Sequence, residues 1–204
     1  MKKGLMTVVS GPAGSGKGTV LSHLLKREDF AYSVSATTRA PRPGEVDGVN
    51  YHFISREDFL SRIESGDMLE YTEYCGNFYG TPRKEAEAVL AEGKNLILEI
   101  EVEGAENIKK KFPDAVLILL LPPDFATQEA RLRSRGTETE EKILARLART
   151  KEELKSAEHY DYVVYNYDGM DTGCAEQILA ITQAEQAAMG RNRGVADRYF
   201  SANK

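Results

Sequence analysis

Gly11-Pro12-Ala13-Gly14-Ser15-Gly16-Lys17-Gly18-Thr19 decides the reading of this chain. Gly11 and the pair Gly16-Lys17 have phosphate-loop spacing. Glycines let the backbone turn tightly, so that successive N–H groups converge on phosphate oxygens. A helix starting at the end of the loop adds the partial positive charge of its N-terminus, and Lys17 has the reach for the outer phosphates of a nucleotide. Gly18 follows Lys17 where the simple pattern has Ser or Thr. Thr19 is therefore the natural hydroxyl to face a magnesium ion, directly or through a water.

The flanks agree with the loop. Leu5 to Ser10 reads as a short buried strand, and Val20, Leu21, Leu24 and Leu25 follow with helical spacing. Further apolar runs at Leu96 to Ile100, Ala115 to Leu121 and Tyr162 to Tyr165 read as strands. Helical stretches near Glu103 to Lys111 and Phe125 to Leu154 lie between them. The alternation predicts an α/β fold, a parallel sheet with helices on both faces. Residues 33–81 are rich in Tyr, Phe, Pro and Gly, with strand-like pieces such as Tyr51 to Ile54 and one helix between Ser55 and Ser65. They read as a small mixed α+β insertion. The tail after Glu185 extends or frays a last helix.

Composition narrows the classes. Of 204 residues, 41% are apolar and 29% charged, as in a globular fold. The net charge of −5 gives no support to broad nucleic-acid binding. No run approaches the roughly 18 apolar residues of a membrane span, and no signal peptide is read, so the expectation is a cytoplasmic protein with neither membrane nor nucleic-acid partners. Cys75 and Cys174 are too few for a disulfide scaffold or metal cage, and His23, His52 and His159 lack metal-ligand spacing. One local exception stands out. Thr127 to Lys151 holds seven basic residues against four acidic ones. Within it Arg131 and Arg135 share a helix face, Thr137 and Glu140 have capping-box spacing for a new helix, and Lys142, Arg146 and Arg149 recur along one side.

A phosphate cradle specifies a nucleotide, not a reaction. Ser35-Ala36-Thr37-Thr38-Arg39-Ala40-Pro41-Arg42-Pro43-Gly44-Glu45 sets two arginine forks beside stiffening prolines, a pattern suited to a second anion and shared with charged surface loops. This stretch, with Ser33-Val34 before it, resembles the signature of the guanylate kinases; so do Gly76-Asn77-Phe78-Tyr79-Gly80-Thr81 and Arg135-Gly136-Thr137-Glu138. The resemblance runs from about Met6 to Asp168, with the motifs in the family's order and spacing.

It implies transfer of the terminal phosphate of ATP to GMP, and to dGMP, giving ADP and GDP with magnesium. It implies one domain made of a core (1–32, 82–126, 152–204), a GMP-binding insertion (33–81) and a helical lid (127–151). Arg39 and Arg42 would hold the GMP phosphate with Tyr51 and Tyr79, while Ser35, Glu70, Thr81 and Glu101 would read guanine. Carboxylates suit the two donors on the guanine pairing edge and hydroxyls suit O6. Lys17, Arg42, Arg135 and Arg146 would act on the transferring phosphate, assisted by Arg131, and Asn166 would approach the adenine. Two departures stand out. Glu99 and Glu101 occupy positions where many members have Asp, and Tyr167 separates Asn166 from Asp168. Glu99 and Glu101, at the end of one strand, are expected to point to one face, with Glu99 organising magnesium or water.

Three other readings remain open at this level: a kinase for another phosphorylated nucleoside or ribose, a kinase-like protein-interaction module without ATP chemistry, and a nucleotide switch. The intact loop weighs against the module. The switch would need an Asn-Lys-x-Asp guanine motif, which the sequence lacks.

Overall fold

The computed structural model describes residues 4–74, 76–134, 136 and 139–201. Its core is a five-stranded, wholly parallel sheet. The strands are β1 (Met6–Ser10), β2 (Phe30–Tyr32), β7 (Asn95–Glu99), β8 (Val116–Leu121) and β9 (Tyr162–Tyr165), in the spatial order β2-β7-β1-β8-β9. Alternation along the strands explains the layering. Met6, Val8, Leu96, Leu98 and Leu117 point to one side and pack on α3 (Arg83–Ala91) and α4 (Val102–Lys111) through Ala86, Leu90, Ala105 and Ile108. Val9, Ile97, Val116, Ile118 and Leu120 point to the other side. There they meet α1 (Lys17–Leu24) and α7 (Asp171–Ala187) through Val20, Leu21, Leu24, Ala175 and Ile178. Both faces are buried, so these strands carry near-continuous apolar runs.

A second sheet, β4-β3-β6-β5, is built from β3 (Ala36–Thr37), β4 (His52–Phe53), β5 (Met68–Tyr74) and β6 (Asn77–Pro82). Its β3 runs parallel to β4 and antiparallel to β6, and β5–β6 is an antiparallel hairpin. A small core of its own sits under α2 (Arg56–Glu64), where Phe59 and Phe78 stack with ring centres 5.2 Å apart. Ser55 caps α2 by accepting from the Asp58 N–H.

The helical stretch expected from Phe125 to Leu154, with a new helix starting inside it, is α5 (Phe125–Ser134) followed by α6 (Glu140–Glu153). The second begins after Thr139; the capping residue expected at Thr137 lies outside the described residues, as do Glu138, Arg135 and Cys75. Leu132, Ile143 and Leu147 pack the two helices together against Ala13. After α7 the chain forms a short 3₁₀ turn (Met189–Arg191) and then α8 (Val195–Ser201), a separate helix with no buried residue, where a frayed extension was expected. Cys174 is a buried free thiol.

Candidate active site

The C-terminal ends of β1 and β7, neighbours in the middle of the sheet, open onto one cleft, where open α/β sheets place their ligands. From β1 the chain enters the glycine loop. Gly16 takes a left-handed conformation (φ 88°) as the residue before α1, and a Cβ there would lie 2.4 Å from Asn166 Nδ2. At Gly11 a Cβ would lie 2.1 Å from the Leu120 carbonyl oxygen, so the loop can leave the sheet only with glycine at that position. Pro12, Ala13, Gly14, Ser15, Gly16, Lys17, Gly18 and Thr19 line a pocket, and Lys17 Nζ donates to the Gly11 carbonyl at 2.5 Å. Ser15 Oγ is buried without a hydrogen-bond partner among the described residues.

The loop is held from behind. Asn166, 5% exposed, donates through Nδ2 to the Ser15 carbonyl at 2.9 Å. Gln128, 1% exposed, donates to the Ala13 carbonyl (2.9 Å) and to Thr150 Oγ1 (2.8 Å), tying the loop to α5 and α6. Arg131 donates to Asp168 Oδ1 and to the carbonyls of Gly14 and Asn166. Asn166 and Arg131, expected at ATP, therefore bear on the loop's backbone and line neither pocket. Gln128 escaped the sequence reading because a lone glutamine on a helix carries no pattern.

A second pocket adjoins the first, lined by Ser35, Arg39, Arg42, Tyr51, Glu70, Thr72, Tyr79, Gly80, Glu99, Ile100, Glu101, Gly104 and Arg146. Seven of the eight expected GMP residues line it. The eighth, Thr81, sits beneath, donating its hydroxyl to Glu70 Oε1 at 2.8 Å. Glu70 is only 2% exposed, and burial pushes its carboxyl up to about 7, against the opposing pull of Thr81 and Lys111. Gly104 makes room for it, since a Cβ there would lie 2.9 Å from Glu70 Oε2.

The two arginines differ. Arg39 forms a bidentate pair with Glu45 (2.9 and 2.9 Å) and lies over the Tyr51 ring. The pair holds the Glu45 carboxyl below its usual range. Glu45 also accepts from the Arg42 N–H at 2.6 Å, fixing the turn that presents Arg42. The Arg42 guanidinium is exposed at the pocket rim and makes no hydrogen bond among the described residues, though its charge is felt by Glu45.

Glu99 and Glu101 do not alternate along one strand. The strand ends at Glu99, and Glu101 is the residue before α4. Both carboxylates nevertheless face the cleft, because Tyr51, Glu99, Ile100, Glu101 and Arg146 line both pockets. Burial raises the Glu99 carboxyl and Lys17 opposes the shift. His23, His52 and His159 pair with Asp171, Glu85 and Glu106, away from the cleft. No group of three His, Cys, Asp or Glu able to hold a metal occurs among the described residues. No helix of the described residues is long and apolar enough to cross a membrane.

Comparison with known proteins agrees with this geometry. The sequence profile of the family described as "Guanylate kinase" matches residues 3–184. The chain is 51% identical over 191 residues to a guanylate kinase of Halalkalibacterium halodurans, covering 93% of each sequence. It is 46% identical over 201 residues to one of Clostridioides difficile, covering 98% of this chain and 97% of the relative. A crystal structure of guanylate kinase from Anaplasma phagocytophilum superposes with a TM-score of 0.78 at 34% identity, over 97% of this chain and 94% of that one.

Proposed function

Because the chain belongs to the guanylate kinase family and transfers the γ-phosphate of ATP to GMP, giving ADP and GDP, we propose how its residues divide that work. The observation that carries the assignment is the shared wall: two pockets, one under the glycine loop and one in the insertion, meet at Tyr51, Glu99, Ile100, Glu101 and Arg146. ATP phosphates occupy the first and GMP the second, so a non-bridging oxygen of the GMP phosphate approaches the γ-phosphorus across that wall, and ADP leaves on the far side. We take residues 33–81 as the GMP-binding insertion, 127–151 as the lid, and 1–32, 82–126 and 152–204 as the core.

A phosphate monoester is already an ionised nucleophile near neutral pH, so the reaction needs no strong base. The obstacle is aligning two anions, and the remedy is fixed positive charge. Lys17 and the loop N–H groups hold the donor phosphates. Arg42, steadied by Glu45, takes the GMP phosphate with Arg39, Tyr51 and Tyr79. Arg146, on both walls, meets the transferring group, and Arg135 is assigned the same task by the resemblance. Glu70, Ser35 and Glu101 read the base, with Thr81 holding Glu70. By the resemblance, dGMP is taken as a second acceptor. Asn166, Arg131 and Gln128 serve ATP by holding the loop.

Magnesium fits as a cation carried mainly by the phosphates of ATP. Thr19, directly or through a water, and Glu99 supply hard oxygen donors at the mouth of the loop, beside the unpartnered Ser15 hydroxyl. When bound it neutralises charge on the outer phosphates. We take the cytoplasm as the enzyme's place of work, the expectation raised by the sequence.

The test is ADP release with ATP and magnesium across GMP, dGMP, AMP, CMP and ribose phosphates. Turnover with GMP and dGMP alone, abolished by Lys17→Ala in a folded protein, is expected. Near-normal turnover of Lys17→Ala, or equal use of AMP, refutes the assignment.

A further inference from the structure

Glu153 is out of place by every local rule. It is the last residue of α6, where the helix dipole disfavours a carboxylate. Its partner Arg149 lies four residues before it, the weaker order for an i,i+4 pair, with Arg149 Nε 2.7 Å from Glu153 Oε1. The exposure is also inverted. The Glu153 side chain is 11% exposed and that of Arg149 40%, so the acid is tucked inward and the cation lies at the rim.

What the acid is tucked against is the glycine-loop pocket. Arg149 and Glu153 line it together with Lys17, Thr19, Glu101 and Arg146. A carboxylate there faces the place assigned to the triphosphate, and Glu101 already contributes like charge nearby. Burial raises the Glu153 carboxyl, while Arg149 and Lys17 favour its ionised form. A surface salt bridge for stability would not be built this way.

We propose that Glu153 is an internal stand-in for the donor phosphates: its carboxylate holds Arg149 at the pocket until ATP takes the arginine over, which makes Arg149 a further ATP-phosphate contact. This rests on the donor-pocket assignment above. Phosphate and carboxylate compete for one guanidinium, and the bidentate geometry of arginine suits the exchange. Glu153 is a positioning residue, since it acts through Arg149. Its presence lowers affinity for ATP in return for a cation already in place.

The opposite signs of two variants test it. ATP binding to the full chain without GMP is measured by calorimetry over a series of salt concentrations. Arg149→Ala should weaken ATP roughly tenfold, the scale of one charge-assisted hydrogen bond, and flatten the salt dependence. Arg149→Lys should recover part of that loss. Glu153→Gln should tighten ATP roughly three- to tenfold, and the KM for GMP should stay unchanged in all three. A merely structural pair would weaken ATP, if at all, in both variants. Unchanged or weaker ATP binding by Glu153→Gln, or unchanged binding by Arg149→Ala, overturns the proposal. Should Arg149→Ala fail to fold, Arg149→Gln carries the same test. Lys17→Ala is measured alongside. If it loses ATP while the α6 variants are silent, only this inference falls; if it keeps ATP, the donor-pocket assignment falls first.

Discussion

Replacing Glu70 by Gln should make the protein more stable and a worse enzyme. The carboxyl is 2% exposed and burial pushes it up to about 7 from an ordinary 4.5. A folded-state value above the unfolded one means that the native state binds the proton more tightly. The group's relative contribution is therefore greatest below about 4.5 and is lost as pH rises through about 7. At 1.36 kcal/mol per pH unit, the ionised carboxylate costs about 3 kcal/mol above neutrality. Gln keeps an acceptor for the Thr81 hydroxyl and brings no charge. Its buried NH₂ gives up about 1 kcal/mol. The net gain at pH 8 is about 2 kcal/mol, or roughly 4–8 °C in Tm for a chain of this size. Thermal unfolding from pH 8 down to 4.5 should show that gain shrinking and then reversing into a loss of up to about 1 kcal/mol at the acid end, where only the cost of the buried NH₂ remains. In the same variant kcat/KM for GMP should fall roughly 10- to 100-fold, the loss of hydrogen bonds to a charged acceptor, with AMP affected less. In the parent protein the KM for GMP should rise as pH falls below about 7, because the protonated carboxyl cannot accept from both guanine donors. A Glu70→Gln protein no more stable than its parent at pH 8, a gain that stays flat down to pH 4.5, or unchanged discrimination against AMP would refute the reasoning.

Three further substitutions separate the parts of the site. Gly104→Ala places a Cβ 2.9 Å from Glu70 Oε2 inside α4; the KM for GMP should rise at least about fivefold with Tm unchanged or higher, since Ala favours the helix by roughly 0.5–1 kcal/mol. Asn166→Ala removes the bond to the Ser15 carbonyl and should raise the KM for ATP about three- to tenfold without changing that for GMP, read from steady-state kinetics with each substrate varied in turn. Arg42→Ala should abolish measurable transfer while circular dichroism and Tm stay the same, because its exposed guanidinium makes no hydrogen bond among the described residues; preserved turnover would remove Arg42 from the phosphate clamp.

The elements legible in the sequence were those whose burial is periodic. The six apolar positions of β8, for instance, form one unbroken run, five of them buried, with the side chains alternating between the two faces. β2 is only three residues long, and α3 has a weak apolar face with Ala86 and Leu90 its buried residues, so neither stood out from its surroundings. The glycine loop was readable because its geometry depends on residue types at fixed spacing. Gln128, Glu45 and Glu153 were not, because each matters through a partner distant in sequence or through what it is buried against.

By itself the sequence determined the phosphate cradle, the parallel α/β core and the set of charges available to two anionic substrates. Only the tertiary structure decided that two pockets share one wall, that Arg39 is engaged by Glu45 while Arg42 is open, and that Glu70 is buried deeply enough to change its charge state. Loop geometry is local and is written in consecutive residues. Dielectric surroundings and charge pairing are set by which segments the fold brings together, and no single stretch of sequence contains them.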